Sequence, residues 1–258
     1  MIEAVAFVGR KALAFVEHLG RIALFTTRCV ATALRPPFRF HRLVEEIYKL
    51  GVLSLVIITV SGVAVGMVLA LQGYNTLVRF GSEEALGAVV GLSLVRELGP
   101  VLTALLTTGR AGSATAAEIG TMVATQQLDG LRMMSVDPMD YVVRPKAMAM
   151  TLVMPMLGAL FTTAAIFGAY LVGVALMGID GGTYMTSLED AIDFRNDVAG
   201  SLLKTLLFGG IVGLVATYRG YTCAPTSEGV SSATTSTVVI ASVTVLIADY
   251  FFTALWGV

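Results

Sequence analysis

LVRELGPV, Leu94 to Val101, sets an arginine, a glutamate and a Gly-Pro pair inside a run that is otherwise apolar, with ALGAVVGLS before it and LTALLTTG after it. Whether this stretch is a loop or the middle of a membrane helix decides the fold. The whole chain settles the point. Of its 258 residues, 56% are hydrophobic and 14% charged, far more apolar surface than a soluble domain of that length needs. The expectation is an all-α integral membrane protein, with Arg96 and Glu97 inside the bilayer.

A hydrocarbon core takes about 20 apolar residues in helical form, and five segments supply them: 50–78, 85–109, 147–179, 198–218 and 229–256. The first is uncharged, the second carries Arg96 and Glu97, the third is interrupted by Pro155, the fourth carries Lys204 and the fifth Asp249. Lys and Arg concentrate in cytoplasmic loops. Eight lie before residue 50, four in 110–146 and one in 219–228, against Arg79 and Arg195 on the other face, thirteen against two. The N-terminus is therefore expected in the cytoplasm, and the acidic 180–197 loop and the C-terminus outside. The net charge of -1 points to no nucleic acid or other polyanion as partner.

Residues 1–46 are too charged to cross. Arg10, Glu17, Arg21 and Arg28 share one helical stripe, while Val5, Val8, Leu13, Phe15, Val16, Leu19 and Ile22 cover much of the rest. That pattern fits a helix in the membrane interface or one packed on the protein's own spans. Arg35-Pro36-Pro37 ends it. His18 and His41 have no carboxylate or cysteine cluster in sequence beside them, and Cys29 and Cys223 have no framework spacing, so neither pair suggests catalysis, metal binding or a disulfide. The N-terminus has no short apolar core with a small-residue cleavage site and does not read as a cleaved signal peptide.

Between spans two and three, Thr115-x-x-Glu118 matches a capping box, predicting a helix that starts there and runs through Ile119, Met122, Val123, Leu128 and Leu131 to a turn at Asp137-Pro138. Its apolar, Met-bearing face wants a groove, on a partner or on the protein's own spans.

The intramembrane charges need partners too. Adjacent helical residues point about 100° apart, so Arg96 and Glu97 cannot pair with each other. Pro100 lacks an N–H and leaves the carbonyl of residue 96 unbonded. A charge at the centre of a membrane helix costs roughly 2.5 to 3.5 kcal/mol and normally faces protein or a wet cavity. Glu97 with Lys204 and Arg96 with Asp249 is one neutralising arrangement, with the acids exchangeable; as a simple pair, Glu97 and Lys204 would tolerate exchange better than loss of either. Gly62-x-x-x-Gly66 and Gly209-x-x-x-Gly213 allow close helix approach, Met148, Met150, Met154 and Met156 read as lipid-facing or core filler, and Pro155 predicts a kink.

RELGPVLTALLTTGRAGSATAAEIGTM, continuing to LDGLRMMSVDPMDYVVRP, with QGY at 72–74 and APTSEGV at 224–230, resembles the MlaE (YrbE) family of ABC-transporter permeases. The resemblance covers nearly the whole chain. It implies a single permease domain over 1–258 and a homodimer whose central cavity takes glycerophospholipid, with Leu69, Leu77, Phe80, Arg96, Glu97, Leu98 and Lys204 lining it. It also implies that 113–134 is a coupling helix, docking on a cytoplasmic ATPase through Glu118, Gly120, Met122 and Asp129. A STAS-domain cytoplasmic subunit, a hexameric MCE-domain periplasmic protein, an inner-membrane location and a part in outer-membrane lipid asymmetry follow from the same likeness. No G-x-x-x-x-G-K-[ST] loop occurs in the chain, so ATP and Mg would bind the partner and this chain would carry no cofactor and no catalytic residue. Two other classes compete: a secondary transporter using Glu97, Lys204 and Asp249 as an ion or proton relay, and an intramembrane enzyme, for which no nucleophile has a base nearby.

Overall fold

The computed structural model describes residues 2–33 and 40–256, with the side chains of 2–10, 12, 14, 15, 18, 33 and 256 left out of the description. Arg35-Pro36-Pro37 and the side chains of Val5, Val8, Arg10, Phe15 and His18 lie outside the described residues. Everything described is helix and short connection. In hydrocarbon a backbone must satisfy its own hydrogen bonds, and a helix does so within one segment.

Eleven α-helices are described: α1 (Ile2–Ala33), α2 (Phe40–Leu50), α3 (Leu55–Leu77), α4 (Leu86–Ser93), α5 (Gly99–Thr107), α6 (Ser113–Ala124), α7 (Gln127–Met133), α8 (Arg144–Tyr170), α9 (Gly181–Ala191), α10 (Ala199–Tyr221) and α11 (Ser227–Trp256). Five stretches are long and apolar enough to cross a membrane: Phe40–Phe80, Glu83–Ala124, Met139–Leu176, Phe194–Tyr221 and Ser227–Leu255. The protein is a multi-pass membrane protein.

The third span, α8, is the centre of the bundle, with α3 on one side and α10 on the other. Small residues let the backbones touch. A Cβ on Gly66 would stand 1.8 Å from the Ala165 carbonyl oxygen, and one on Gly209 2.9 Å from that of Met150. Both G-x-x-x-G pairs thus lie in close helix crossings, tightest at Gly66, where an added Cβ would force the helices to shift. Ile58, Leu157 and Phe161 fill one half of the core, and Met150, Met154, Phe208 and Val212 the other. Met150 and Met154 are therefore buried filler, whereas Met156 faces outward. Helix α8 runs through Pro155 without a break.

The second span differs from expectation. Helices α4, α5 and α6 form one rod from Leu86 to Ala124, joined by π turns at Leu94–Leu98 and Thr108–Gly112. At 1.5 Å per residue this is about 58 Å, well beyond a ~30 Å hydrocarbon core. No helix starts at Thr115. Its hydroxyl donates back to the Ala111 carbonyl at 2.8 Å, so Thr115 is a mid-helix residue and the capping box is not formed. The rod ends at Gln126, whose φ of 59° is left-handed. The expected 113–134 helix is therefore broken in two, and α7 is a separate short helix.

On that same side of the membrane, α1 packs through Phe25 and Cys29 against Tyr218, Met139, Val143 and Ala147, with the Phe25 and Tyr218 rings edge to face at 5.2 Å. Leu13, Val16, Leu19, Leu24 and Val30 are exposed. The helix thus has one apolar face on the spans and another turned outward. On the opposite side α9, begun by the Asp180 carboxylate accepting from the Thr183 N–H at 2.9 Å, packs on α4. Burial of Tyr184 in that contact pushes its phenol up to about 12.

Gly66→Ala should force α3 and α8 apart and lower the midpoint of thermal unfolding in detergent, at a cost of about 1–3 kcal/mol. Gly109→Ala, where a Cβ meets nothing within 4 Å, should leave it unchanged.

Candidate functional site

The site grows out of the π turn at Leu94–Leu98. The Gly99 N–H reaches the Leu94 carbonyl, five residues back, and Pro100 next in line has no N–H to give. The Arg96 carbonyl, in the same π turn, is open to a side-chain donor. Lys204 of α10 fills it, its Nζ donating to Arg96 O at 3.1 Å, Glu97 Oε2 at 2.8 Å and Thr253 Oγ1 at 2.9 Å. An ammonium has three N–H groups, and all three are used. Asp249 Oδ1 stands 2.7 Å from the same nitrogen, as an ion pair outside hydrogen-bond geometry. Thr253 in turn donates to Glu97 Oε1 at 3.1 Å. Lys204 is 3% exposed and Glu97 42%, so the lysine is sealed while the glutamate borders open space.

Arg96 takes a different partner from the one expected. Its Nε donates to Asp197 Oδ1 at 2.8 Å, and Asp197 Oδ2 accepts the Asp193 N–H at 2.9 Å. The Arg96–Asp249 pairing is corrected: Asp249 belongs to Lys204. Asp197 reads in sequence as part of an outer acidic loop, but it sits in the π turn Phe194–Val198 that leads into α10. It precedes Lys204 by seven residues, two helical turns, and this spacing was the available signal. Thr253, four residues after Asp249 on α11, was missed for the same reason.

Two cations and three carboxylates thus meet inside the bundle. Arg96, Glu97, Asp197 and Lys204 border a cleft of about 330 Å³ of empty space, part of it open to the outside, completed by Asn196, Ser201, Phe252 and Thr253. The cluster can offer a polar head both donors and acceptors. The apolar residues assigned to the same cavity are placed elsewhere. Leu69 and Leu77 line a second cleft of about 620 Å³ between α3 and α4, with Gln72, Thr76 and Ser93. Ser93 lies one turn before Glu97 on the same rod. Leu98 packs on the core, and Phe80 is 76% exposed. A single chain does not bring all seven residues around one cavity.

At the other end of the rod, Glu118 Oε2 accepts from Lys146 of α8 at 2.7 Å, and Lys146 also reaches both oxygens of Glu46 of α2 at 3.0 Å. Lys146 is 3% exposed. Gly120 lies against Cys223 and Val230, and Met122 packs on Ile119, Leu128 and Val142. Gly120 is thus buried, whereas Met122 is partly buried and the Glu118 side chain is 41% exposed. Asp129 of α7 is exposed and pairs with Arg132 at 2.7 Å, while Arg132 donates to the Tyr221 hydroxyl at 2.8 Å. Just beyond, Met133 is 89% exposed, with Met134 also exposed, two residues the sequence reading passed over.

Five apolar spans around a half-open polar cluster define a polytopic helical membrane protein with an internal polar site. A family model described as Permease MlaE matches residues 43–255. A relative from Haemophilus influenzae, 43% identical over 99% of this chain and 98% of its own, is named intermembrane phospholipid transport system permease protein MlaE. One from Rickettsia bellii, named probable ABC transporter permease protein, is 36% identical over 96% of each chain. The Arabidopsis thaliana chloroplast protein TRIGALACTOSYLDIACYLGLYCEROL 1 is 31% identical over 89% of this chain and 65% of its own. This chain belongs to the MlaE permease family.

Lys204→Met leaves Glu97, Asp249 and the Arg96 carbonyl without their shared donor and should destabilise the protein by about 3–5 kcal/mol, read as thermal unfolding in detergent. Exchanging Glu97 and Lys204 should not rescue it. A glutamate at 204 would face Asp249, which revises the simple-pair expectation.

Proposed function

We propose that this chain is the membrane subunit of an ABC transporter that moves glycerophospholipid between the inner and outer membranes of a Gram-negative cell and so maintains outer-membrane lipid asymmetry. The observation that carries the reading is the half-open cluster of Arg96, Glu97 and Lys204 held between apolar helices, in a chain 43% identical to a phospholipid transport permease. The N-terminus, α2 and α7 face the cytoplasm and the C-terminus the periplasm, as the distribution of Lys and Arg supports.

Arg96 spends its Nε on Asp197, leaving its two terminal nitrogens for a phosphate, and Asn196 and Thr253 supply further polar groups at the cleft wall. Leu69 and Leu77 line a neighbouring apolar cleft suited to acyl chains, with Phe80 beyond it. Two copies facing each other would bring these surfaces, separate in one chain, around a shared chamber. Leu98, packed in the core, would shape it from behind.

The power comes from a partner. ATP and Mg bind a cytoplasmic ATPase, and α7, with Asp129, Met133 and Met134 outward, is the docking element. Glu118, Gly120 and Met122 relay its movement into the rod, whose Glu97 lies 21 residues, about 31 Å, from Glu118. A STAS-domain subunit and a hexameric MCE-domain protein complete the assembly on the two sides.

In vesicles carrying the chain with its ATPase, ATP-dependent transfer of a fluorescent phospholipid should fall at least tenfold in Arg96→Ala, a loss of about 1.4 kcal/mol or more in transition-state stabilisation. Transfer at the normal rate would overturn the site assignment, and failure of any ATPase to co-purify would overturn the class. Met133→Asp with Met134→Asp should release the ATPase while the detergent-purified chain keeps its unfolding midpoint.

A further inference from the structure

A third cleft, at the opposite end of α10 from the charge cluster, has no part in the function proposed above. It holds about 660 Å³ of empty space between the second half of α1 and helices α10 and α11, with Ile22, Thr26, Ile211, Val215 and Ile240 among its walls and Arg219 at one end. Arg219 is half-buried. Its Nε donates to the Ser236 hydroxyl at 2.8 Å, and among the described residues no carboxylate stands within ion-pair distance of it. The two terminal nitrogens of the guanidinium are thus uncommitted in a partly desolvated place, where a charge without a counter-ion is costly.

The geometry names the missing anion. From Arg219 to Ile211 is eight residues, about 12 Å along the helix, close to half of a ~30 Å hydrocarbon core. The cationic end lies at the end of the fourth span, beside α1, and the apolar walls run inward from it. A free inorganic anion would satisfy the arginine and leave the walls empty; an acyl chain alone would do the reverse. We propose that this cleft is a binding site for a glycerophospholipid of the leaflet beside α1, its phosphate on Arg219 and one acyl chain along Val215 and Ile211. It is distinct from the Lys204 cleft, 15 residues and about 22 Å away on the same helix. On the topology proposed above, this leaflet is the cytoplasmic one.

The test uses the full chain in vesicles of phosphatidylethanolamine and phosphatidylglycerol, with a phosphatidylglycerol probe carrying a photoreactive acyl chain and the labelled peptides read by mass spectrometry. Label is expected on α10 around 211–215 and on α1 around 22–26. Arg219→Gln should reduce it roughly tenfold, the scale of one charge-assisted hydrogen bond, while Arg219→Lys retains most of it. Ile211→Trp, which fills the cleft, should also remove it. Equal labelling by a diacylglycerol probe, or undiminished labelling in Arg219→Gln, would reduce the cleft to ordinary lipid contact and overturn the proposal. Displacement of the label by millimolar inorganic phosphate would also overturn it, in favour of a soluble anion. Label at the Lys204 cleft is expected to persist in all three variants; its absence from wild type would count against the transport reading alone.

Discussion

Lys204 serves four oxygen-bearing groups on two neighbouring helices, and one of them is a backbone carbonyl in a π turn that runs into Pro100. A proline within a membrane helix normally leaves an orphan carbonyl that something must satisfy. Here a carbonyl of that turn becomes a ligand for the lysine. The cost of a charge at bilayer depth and the cost of an unbonded carbonyl offset each other at one nitrogen. The second, fourth and fifth spans meet where they do because that nitrogen needs all of them. The half-exposure of Glu97, and with it the polar wall of the cleft, follows from the same arrangement.

The other end of the second span repeats the device. Lys146 is as deeply buried as Lys204 and also binds two carboxylates from different elements, Glu46 of α2 and Glu118 of α6. Arg110, between the two, donates to the Lys49 carbonyl at 2.8 Å and to the Ser54 hydroxyl at 2.9 Å, holding the end of α2. The rod is therefore gripped at both ends by lysines from neighbouring spans and in the middle by its own arginine. Removing one partner of such a buried pair is far more damaging than never having had the pair. These contacts fix how the rod sits among its neighbours more than they add to stability.

The five spans and the intramembrane charges were legible because a bilayer imposes a length and an energy scale that composition alone reveals. What stayed hidden depended on register. Thr115 and Glu118 have the spacing of a cap, yet a threonine bonding its own Ala111 carbonyl inside a continuous helix has the same local sequence. Asp197 was grouped with Glu189, Asp190 and Asp193 as loop charge, because nothing in composition announces that α10 begins early through a π turn. Leu69 and Leu77 were joined to Arg96 by family likeness. Within one chain they line another cleft, between α3 and α4.

The π turns have a consequence for how this sequence can change. Each winds one more residue into a turn than an α-helix would, so a single deletion inside Leu94–Leu98 is absorbed by a return to regular winding, whereas one in the regular turns of α5 swings everything beyond it by about 100°. With the Glu97–Lys204 contact kept, Glu118 would then point away from Lys146, although every side chain named here were still present. Point substitutions test the chemistry of these clusters; the number of residues separating them is a second, independent constraint, and in the regular turns of this span a one-residue gap is expected to be less tolerable than many changes of residue type.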